Sequence, residues 1–321
     1  MNGSKCFKGI VLFYGVFLTI SFARAEIPVS EREALIAFYN ATNGPSWANN
    51  DNWLGPRGTE NTWYGITTDE GNTTVTSISL SRNNLVGTLT EQLSQLSNLE
   101  FLTLDSNQLG GTIPAELGTL AHLRAISIVF NQLTGALPPE LGNLSKLQWL
   151  YLGANQLNGT IPPELGNLTL LQTLTLTRNQ LTGDIPPELG KLTKLQYLIL
   201  NKNQLRGRIP SGFSNLTDLL WLYLDDNQLT GTIPSSMGNL IQLQLLLLNN
   251  NGLMGPFPKE LMNLTNLKNN ESDFRNNHLY TGDEALRAFL NAKQIDGDWE
   301  TSQTPPFTQG VPGIPLLLLS E

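Results

Sequence analysis

The apolar residues in the middle of the chain follow a spacing that repeats every 24 residues. One copy spans Leu147–Leu168 and reads LQWLYLGANQLNGTIPPELGNL. Each copy carries one asparagine at the same place, and these are Asn83, Asn107, Asn131, Asn155, Asn179, Asn203, Asn227 and Asn251. A constant period of this length is typical of a solenoid, in which each unit packs against its neighbours. The pattern predicts one elongated repeat domain.

Within a unit, apolar and polar positions alternate as on a short strand. Leu147, Leu150 and Leu152 are expected to point inward, whereas Trp149 and Tyr151 point outward. Stacked units would then form a parallel sheet. The repeated asparagine lies among leucines, so its amide must be hydrogen-bonded to tolerate burial. Because the amide both donates and accepts, we expect these asparagines to bridge the backbones of adjacent turns as a ladder.

The repeat L-x-x-L-x-L-x-x-N-x-L-x-G-x-I-P resembles the leucine-rich repeat of the plant-type subtype, most densely over residues 75–258. The resemblance implies an α/β solenoid, a horseshoe with a parallel concave β-sheet, short 3-10 turns on the convex side and helical caps. It also implies a second sheet, formed by the Ile-Pro piece. Trp63–Thr68 is similar to the family's cap segment, but Thr68 stands where the family has a cysteine. In this respect the chain resembles cysteine-free repeat proteins exported by bacteria more than plant receptor ectodomains.

The chain divides into five predicted segments. Residues 1–25 read as a signal peptide, with Lys5 and Lys8 before an apolar run and Ala23-Arg24-Ala25 at its end. Residues 26–74 are expected to be an N-terminal cap, and residues 75–266 hold eight regular repeats. Residues 267–300 contain an irregular ninth repeat and a helical C-terminal cap. Residues 301–321 read as a disordered tail, either the remnant of a surface anchor or a truncated end.

The caps are predicted from helix signals and tryptophans. Capping boxes at Ser30/Glu33 and Thr281/Glu284 predict helices to about Thr42 and Ala292. Tryptophans in the segments beside these helices are expected to cover the open ends of the solenoid; they are Trp47, Trp53, Trp63 and Trp299. A ligand cage is the alternative for the first three. In the ninth repeat, Asn277 is expected to take the ladder position.

Charge and cysteine content limit the partners. Cleavage after Ala25 leaves 16 basic residues against 27 acidic ones, a net charge of −11. Such a surface disfavours nucleic acid and anionic lipid. The mature chain would contain no cysteine, since Cys6 lies in the predicted signal peptide, and no segment of it is long enough for a transmembrane helix.

The sequence shows no arrangement typical of an active site. His122 and His278 are its two histidines, and neither belongs to a recognised catalytic or metal-binding motif. Asp225 and Asp226, with Asp218 nearby, could attract a cation, although solvated carboxylates are the more common case. We therefore predict no catalytic residue, no cofactor and no metal.

The outward strand positions predict a recognition surface on the concave face. Aromatic and aliphatic side chains cluster there in the fourth to seventh repeats and form what we call the aromatic strip: Trp149, Tyr151, Tyr197, Ile199, Trp221 and Tyr223. Charged residues are expected at its flank, namely Arg178, Lys202 and Asp225. Exposed aromatics give a rigid surface a large contact area at low entropic cost. The alternative is that aromatic residues simply suit strands.

These features predict an exported recognition module, secreted, periplasmic or on the cell surface. It would bind a protein, peptide or glycan on its concave face without catalysis. A passive structural or adhesive spacer is the alternative, followed by a hydrolase.

Overall fold

The structure is a computed structural model that describes residues 26–303. The predicted signal peptide and residues 304–321 of the predicted tail lie outside the described residues. The solenoid and its concave parallel sheet are confirmed. This nine-stranded sheet is parallel apart from its first strand, which pairs antiparallel with the second. Its strands are Ile66–Thr68, Val75–Ser79, Phe101–Thr103, Ala125–Ser127, Trp149–Tyr151, Thr173–Thr175, Tyr197–Ile199, Trp221–Tyr223 and Leu245–Leu247.

A second sheet lies farther along each turn. Its five strands are Thr182–Asp184, Gln204–Gly207, Gln228–Gly231, Gly252–Pro256 and His278–Tyr280, and Val86–Thr88 pairs separately with Gln108–Gly110. The prediction that the Ile-Pro piece forms this sheet is wrong in position, because the strands end before that dipeptide, as Gln204–Gly207 ends before Ile209-Pro210. Proline has no N–H to donate to a ladder. The inter-turn bonds come instead from residues such as Gln156, whose N–H donates to Leu133 O at 2.8 Å.

The convex side consists of short 3-10 turns, one per repeat. They are Glu91–Gln95, Ala115–Thr119, Pro139–Asn143, Pro163–Asn167, Pro187–Lys191, Ser211–Asn215, Ser235–Asn239 and Lys259–Asn263. Each contributes one apolar side chain, such as the fully buried Leu165, to the single column of leucines that fills the solenoid. The glycine after each ladder position has positive φ, 73° at Gly159, where a side chain would be strained.

The ladder asparagines bridge adjacent turns through hydrogen bonds of their side-chain amides. The Nδ2 of Asn155 donates to Ile128 O of the preceding turn at 2.8 Å and to Leu152 O of its own turn at 3.2 Å. Its Oδ1 accepts from Leu133 N at 3.0 Å. Asn277 makes the corresponding bonds to Leu248 O and Leu253 N, as predicted for the ninth repeat.

The N-terminal helix covers the first turn, but its predicted start is wrong. The helix spans Val29–Ala41 with Pro28 at its N-cap and no side-chain cap, so Ser30 and Glu33 form no capping box. A tertiary contact takes precedence, because the buried Glu31 carboxylate accepts from Thr74 Oγ1 at 2.6 Å and Val75 N at 2.7 Å. These bonds tie the helix to the first parallel strand.

The tryptophans complete both caps. Trp47, Trp53 and Trp63 are buried, and Trp53 lies 4.9 Å from each of the other two rings. These three rings therefore belong to the core at this end of the solenoid. At the other end, Trp299 packs on Phe257 at 4.8 Å between ring centroids.

The C-terminal helix spans Glu284–Lys293, close to its predicted end, but the predicted capping box at Thr281 is wrong. Asp283 is its N-cap and accepts from Leu286 N at 3.0 Å. Gln303 extends this cap, since its Oε1 accepts from Leu279 N at 2.9 Å.

Candidate ligand-binding face

The concave strands place the aromatic strip as their alternation predicts. In Trp149–Tyr151, Leu150 is fully buried, whereas Trp149 and Tyr151 are half-buried and face outward. The strands Tyr197–Ile199 and Trp221–Tyr223 repeat this arrangement. Each strand is anchored from below by a leucine, so the outward side chains stand on a rigid base.

Register aligns these side chains in two rows. One row runs through Trp149, Thr173, Tyr197, Trp221 and Leu245, because these residues are Cα partners on adjacent strands. The other row contains Tyr151, Thr175, Ile199, Tyr223 and Leu247. Both rows belong to one continuous surface.

Ring contacts divide the strip into two parts. Tyr197 and Trp221 meet edge to face at 5.0 Å, and Trp221 and Tyr223 are parallel, 2° apart in plane, at 5.9 Å. Trp149 and Tyr151 are separated from this group by the strand Thr173–Thr175, where the small Thr173 is 5% exposed. Strands in a sheet are about 4.8 Å apart, so the backbones at Trp149 and Tyr197 are about 10 Å apart. The strip thus has two aromatic walls, one on each side of the strand that carries Thr173.

The flank of the strip carries two of its predicted charged residues at exposed positions. Arg178 and Lys202 are exposed, with left-handed φ values of 54° and 56° at the bend between the concave strand and the ladder asparagine. Lys202 Nζ lies 3.9 Å from Asp226 Oδ2, and both side chains are about two-fifths exposed. An ion pair this open to water contributes little to stability, so these charges are available to a ligand.

Asp225 is buried, whereas the sequence predicts an exposed residue at the flank of the strip. Its side chain is 5% exposed, because the chain turns at Asp226 and directs Asp225 inward. Burial raises the pKa of this carboxyl, and the charge of Asp226 raises it further. The hydrogen bond from Asn201 and the charge of Lys202 oppose that shift. Asp225 lies beneath the face and does not line it.

Two neighbours of the strip are absent from the sequence prediction. Phe130 is 63% exposed at the bend position that Arg178 and Lys202 occupy in later turns. Asn201 is half-buried and donates from Nδ2 to Asp225 Oδ2 at 3.1 Å. Phe130 lies 48 residues, two turns of 24, before Arg178 in the repeat alignment. The position before each ladder asparagine is therefore the signal that identifies Phe130.

The described part of the chain contains no cluster of side chains suited to a metal ion. No group of three or more His, Cys, Asp or Glu side chains between residues 26 and 303 could hold a metal ion. His122 is exposed and its Nδ1 lies 3.1 Å from Ser97 O. Within the same range, no helix is long and apolar enough to cross a membrane.

The sequence profile described as "Leucine Rich Repeat" matches five segments of the chain, residues 98–120, 146–168, 170–192, 194–216 and 218–240. Together with the solenoid, the ladder and the similar solved structures, these matches show that the chain is a leucine-rich repeat protein of the plant type. A search of curated protein sequences found no match.

Two similar solved structures are plant receptor ectodomains. That of the Arabidopsis thaliana receptor kinase GASSHO1/SCHENGEN3, in complex with CASPARIAN STRIP INTEGRITY FACTOR 2, is 35% identical over 78% of this chain, with a TM-score of 0.71. That of the Arabidopsis receptor kinase HAESA, in complex with a peptide hormone and a co-receptor, is 32% identical over 78% of this chain, with a TM-score of 0.61. The chain spans 30% and 46% of these two proteins.

A plant ice-binding protein is also similar, with 26% identity over 74% of this chain and 90% of its own length and a TM-score of 0.56. These structures come from plants, so the closer likeness to exported bacterial members stays a prediction.

Proposed function

We propose that this protein is a non-catalytic recognition module that binds an extended peptide segment of a partner across the aromatic strip. The observation that carries the proposal is the pair of aromatic walls on a rigid sheet, with Tyr197, Trp221 and Tyr223 in mutual contact. Half-buried Trp and Tyr on a preorganised surface are the side chains that dominate binding energy at protein interfaces.

The dimensions of the strip suit a peptide. From Trp149 to Trp221 the surface crosses three strand spacings, about 14 Å in all, which is the length of about four extended residues. The plant ectodomain of HAESA, whose solved complex contains a peptide hormone, supports this choice of ligand class by analogy of fold.

Selection of a displayed peptide library on the wild-type protein tests the proposal, with a glycan array as the parallel arm. Recovered peptides are expected to bind wild type and to lose binding to the Trp149→Ala/Trp221→Ala variant. The matched control is Leu170→Ala, which alters an exposed apolar side chain outside the concave strands. Peptides that bind the double variant as well as wild type would overturn the proposal, as would a glycan array that yields the only ligands.

We further propose that the protein acts outside the cytoplasm. The apolar segment before Ala25 supports export. Fractionation of the source cells followed by N-terminal sequencing tests this, with Glu26 as the expected first residue. A cytoplasmic chain that retains Met1 would contradict it.

Adsorption to a periodic solid, ice in particular, is the second candidate. A glutamine follows the ladder asparagine in six successive turns, and all six are exposed: Gln108, Gln132, Gln156, Gln180, Gln204 and Gln228. Such a polar row repeats at the strand spacing of about 4.8 Å, and regular spacing is what a crystal surface requires of its partner. The likeness to a plant ice-binding protein favours this candidate.

Inhibition of ice recrystallisation separates the two candidates, because they use different faces. The Gln156→Lys/Gln180→Lys variant should lose the effect if the glutamine row binds ice, whereas Trp149→Ala/Trp221→Ala should keep it. Wild type without any effect on ice would exclude the second candidate and leave the peptide proposal untouched.

A further inference from the structure

Asp225 can be compared with other aspartates that lie between turns of the same solenoid. The residue two before the ladder asparagine is aspartate in two turns, Asp105 and Asp225. Asp273 is another aspartate buried between turns, four residues before the ladder residue Asn277. The carboxylates differ in the donors that they find. Asp105 is bonded to the following turn, whereas Asp225 is bonded to Asn201 of the preceding turn.

Asp105 and Asp273 are well supplied with donors. Asp105 Oδ1 accepts from Ser127 Oγ at 2.7 Å and from Val129 N at 2.9 Å, both in the following turn. Asp273 accepts from Arg275 at two atoms and from Gln294 Nε2 at 2.9 Å. Although burial opposes the shift, the bonds from Arg275 and Gln294 hold the pKa of Asp273 below its ordinary value.

Asp225 lacks such donors although it is 5% exposed. Leu247 stands where Ser127 serves Asp105, so the hydroxyl donor is missing. Its Oδ2 accepts from Asn201 Nδ2 at 3.1 Å, whereas its Oδ1 is buried without a hydrogen-bond partner among the described residues. A buried acceptor in this state carries a large desolvation cost.

Asn201 has the same deficit. Its Oδ1 is also buried with no partner among the described residues. Asn201 and Asp225 therefore share one hydrogen bond, and each has one acceptor oxygen without a donor. A carboxylate and an amide oxygen cannot satisfy each other, because neither carries a proton. A carboxylic acid can, because it supplies one O–H donor.

We infer that Asp225 is held as a neutral carboxylic acid in a reciprocal pair with Asn201, and that this pair binds a proton at the end of the aromatic strip. Asn201 Nδ2 donates to Asp225 Oδ2, and the proton on Asp225 Oδ1 donates to Asn201 Oδ1. Both unpartnered oxygens are then satisfied at once. No ligand is needed for this inference, so it stands apart from the proposed function.

The charges around the pair favour the proton. Asp226 follows in the same turn and raises the pKa of Asp225 in addition to burial; Lys202, in the preceding turn, is the opposing cation. Lys202 lies 3.9 Å from Asp226, which competes for it. The next turn offers the uncharged Asn249 and Asn250, and Arg275 beyond them is paired with Asp273. Tyr223 lies beside the pair, and the pKa of its phenol is raised by burial and then by Asp225.

Because the pair binds a proton, the stability of the fold depends on pH. Because the folded-state pKa of Asp225 is raised above its ordinary value of 3.8, the protonated pair stabilises the fold at low pH, and that contribution is lost as pH rises through the folded-state pKa. Above that pH an unpaired negative charge lies directly behind Tyr223. The proton therefore sets the charge at this end of the strip.

The Asp225→Asn variant tests the inference, because its amide supplies the same donor permanently. We expect its melting temperature to exceed that of wild type at pH 7.5 and the difference to vanish by pH 3. Asp105→Asn is the matched control at the same repeat position. There the amide weakens charge-assisted bonds from Ser127 and Val129, so its melting temperature should fall at pH 7.5.

Carbon-13 NMR of aspartate carboxyls gives a second readout that does not depend on the stability of a variant. The Asp225 signal, assigned by its absence in Asp225→Asn, should titrate above the ordinary aspartate range. Titration of Asp225 at or below the ordinary value would overturn the inference. So would an Asp225→Asn variant that is destabilised at pH 7.5 as Asp105→Asn is.

Discussion

The first three parallel strands and the strands of the aromatic strip share one backbone but present different surfaces. Ile78 and Leu102 are as fully buried as Leu150 and Leu222, and the same register joins all of these strands. The outward residues of the early strands are mostly small, such as Ser77, Thr103, Ala125 and Ser127, whereas the later strands carry the rings. The inward residues are therefore alike in both regions, whereas the outward residues differ between them.

Truncation of the same inward leucine in each region should cause the largest loss of stability, and the loss should be similar in the two regions. Leu80→Ala and Leu152→Ala each remove a fully buried side chain at the same repeat position. Each is expected to lower the free energy of unfolding by about 2–5 kcal/mol, because a cavity remains between turns. Urea unfolding followed by circular dichroism measures the loss. A clear loss at one site and none at the other would contradict a uniform scaffold.

Removing rings should separate the two regions. For a peptide selected on wild type, Trp149→Ala/Trp221→Ala is expected to weaken binding by roughly 100-fold or more, since central aromatic residues cost about 2 kcal/mol or more each. Phe101→Ala, in an early strand, should leave affinity within about 2-fold, which is well under 1 kcal/mol. Isothermal titration calorimetry measures both.

The melting temperatures of these ring variants serve as controls and should stay near that of wild type, because the rings stand on the outer side of the sheet. Equal loss of affinity in Phe101→Ala and the double tryptophan variant would mean that the strip has no special role.

Loss of one ladder rung should cost less than loss of a core leucine. Asn155→Ala leaves Leu133 N and Ile128 O without their partner, at a cost of about 1–3 kcal/mol. The neighbouring Gln156→Ala changes an exposed side chain and is expected to be neutral within about 0.5 kcal/mol. Thermal melts of the two variants compare them, and similar values would show that the ladder contributes nothing at this turn.

The smallest effect is expected at the charged flank. Lys202→Ala removes an ion pair that is two-fifths exposed, so stability should change by about 0–1 kcal/mol. In contrast, binding of an acidic selected peptide should weaken and its dependence on salt should decrease. A large loss of stability would show that Lys202 has a structural role in the turn.

The tertiary structure changed the sequence interpretation wherever a long-range partner decided the outcome. Glu31 bonds to Thr74 and Val75, so the helix begins without the predicted capping box. Asp225 and Asp105 occupy the same repeat position, and the residue 22 positions later, Leu247 or Ser127, determines whether the carboxylate is satisfied. A single position read by itself does not contain this information.

By itself, the sequence determined the period, the leucine column, the asparagine ladder and the outward direction of the aromatic strip. Each of these follows from a local rule applied at a fixed spacing: strand alternation points the rings outward, and buried amides must be bonded. The tertiary structure alone decided the depth of Asp225, the pairing of that residue with Asn201, the position of the second sheet and the caps of both helices. These depend on which atoms of adjacent turns meet, and hydrogen bonds form or fail over distances of a few tenths of an ångström.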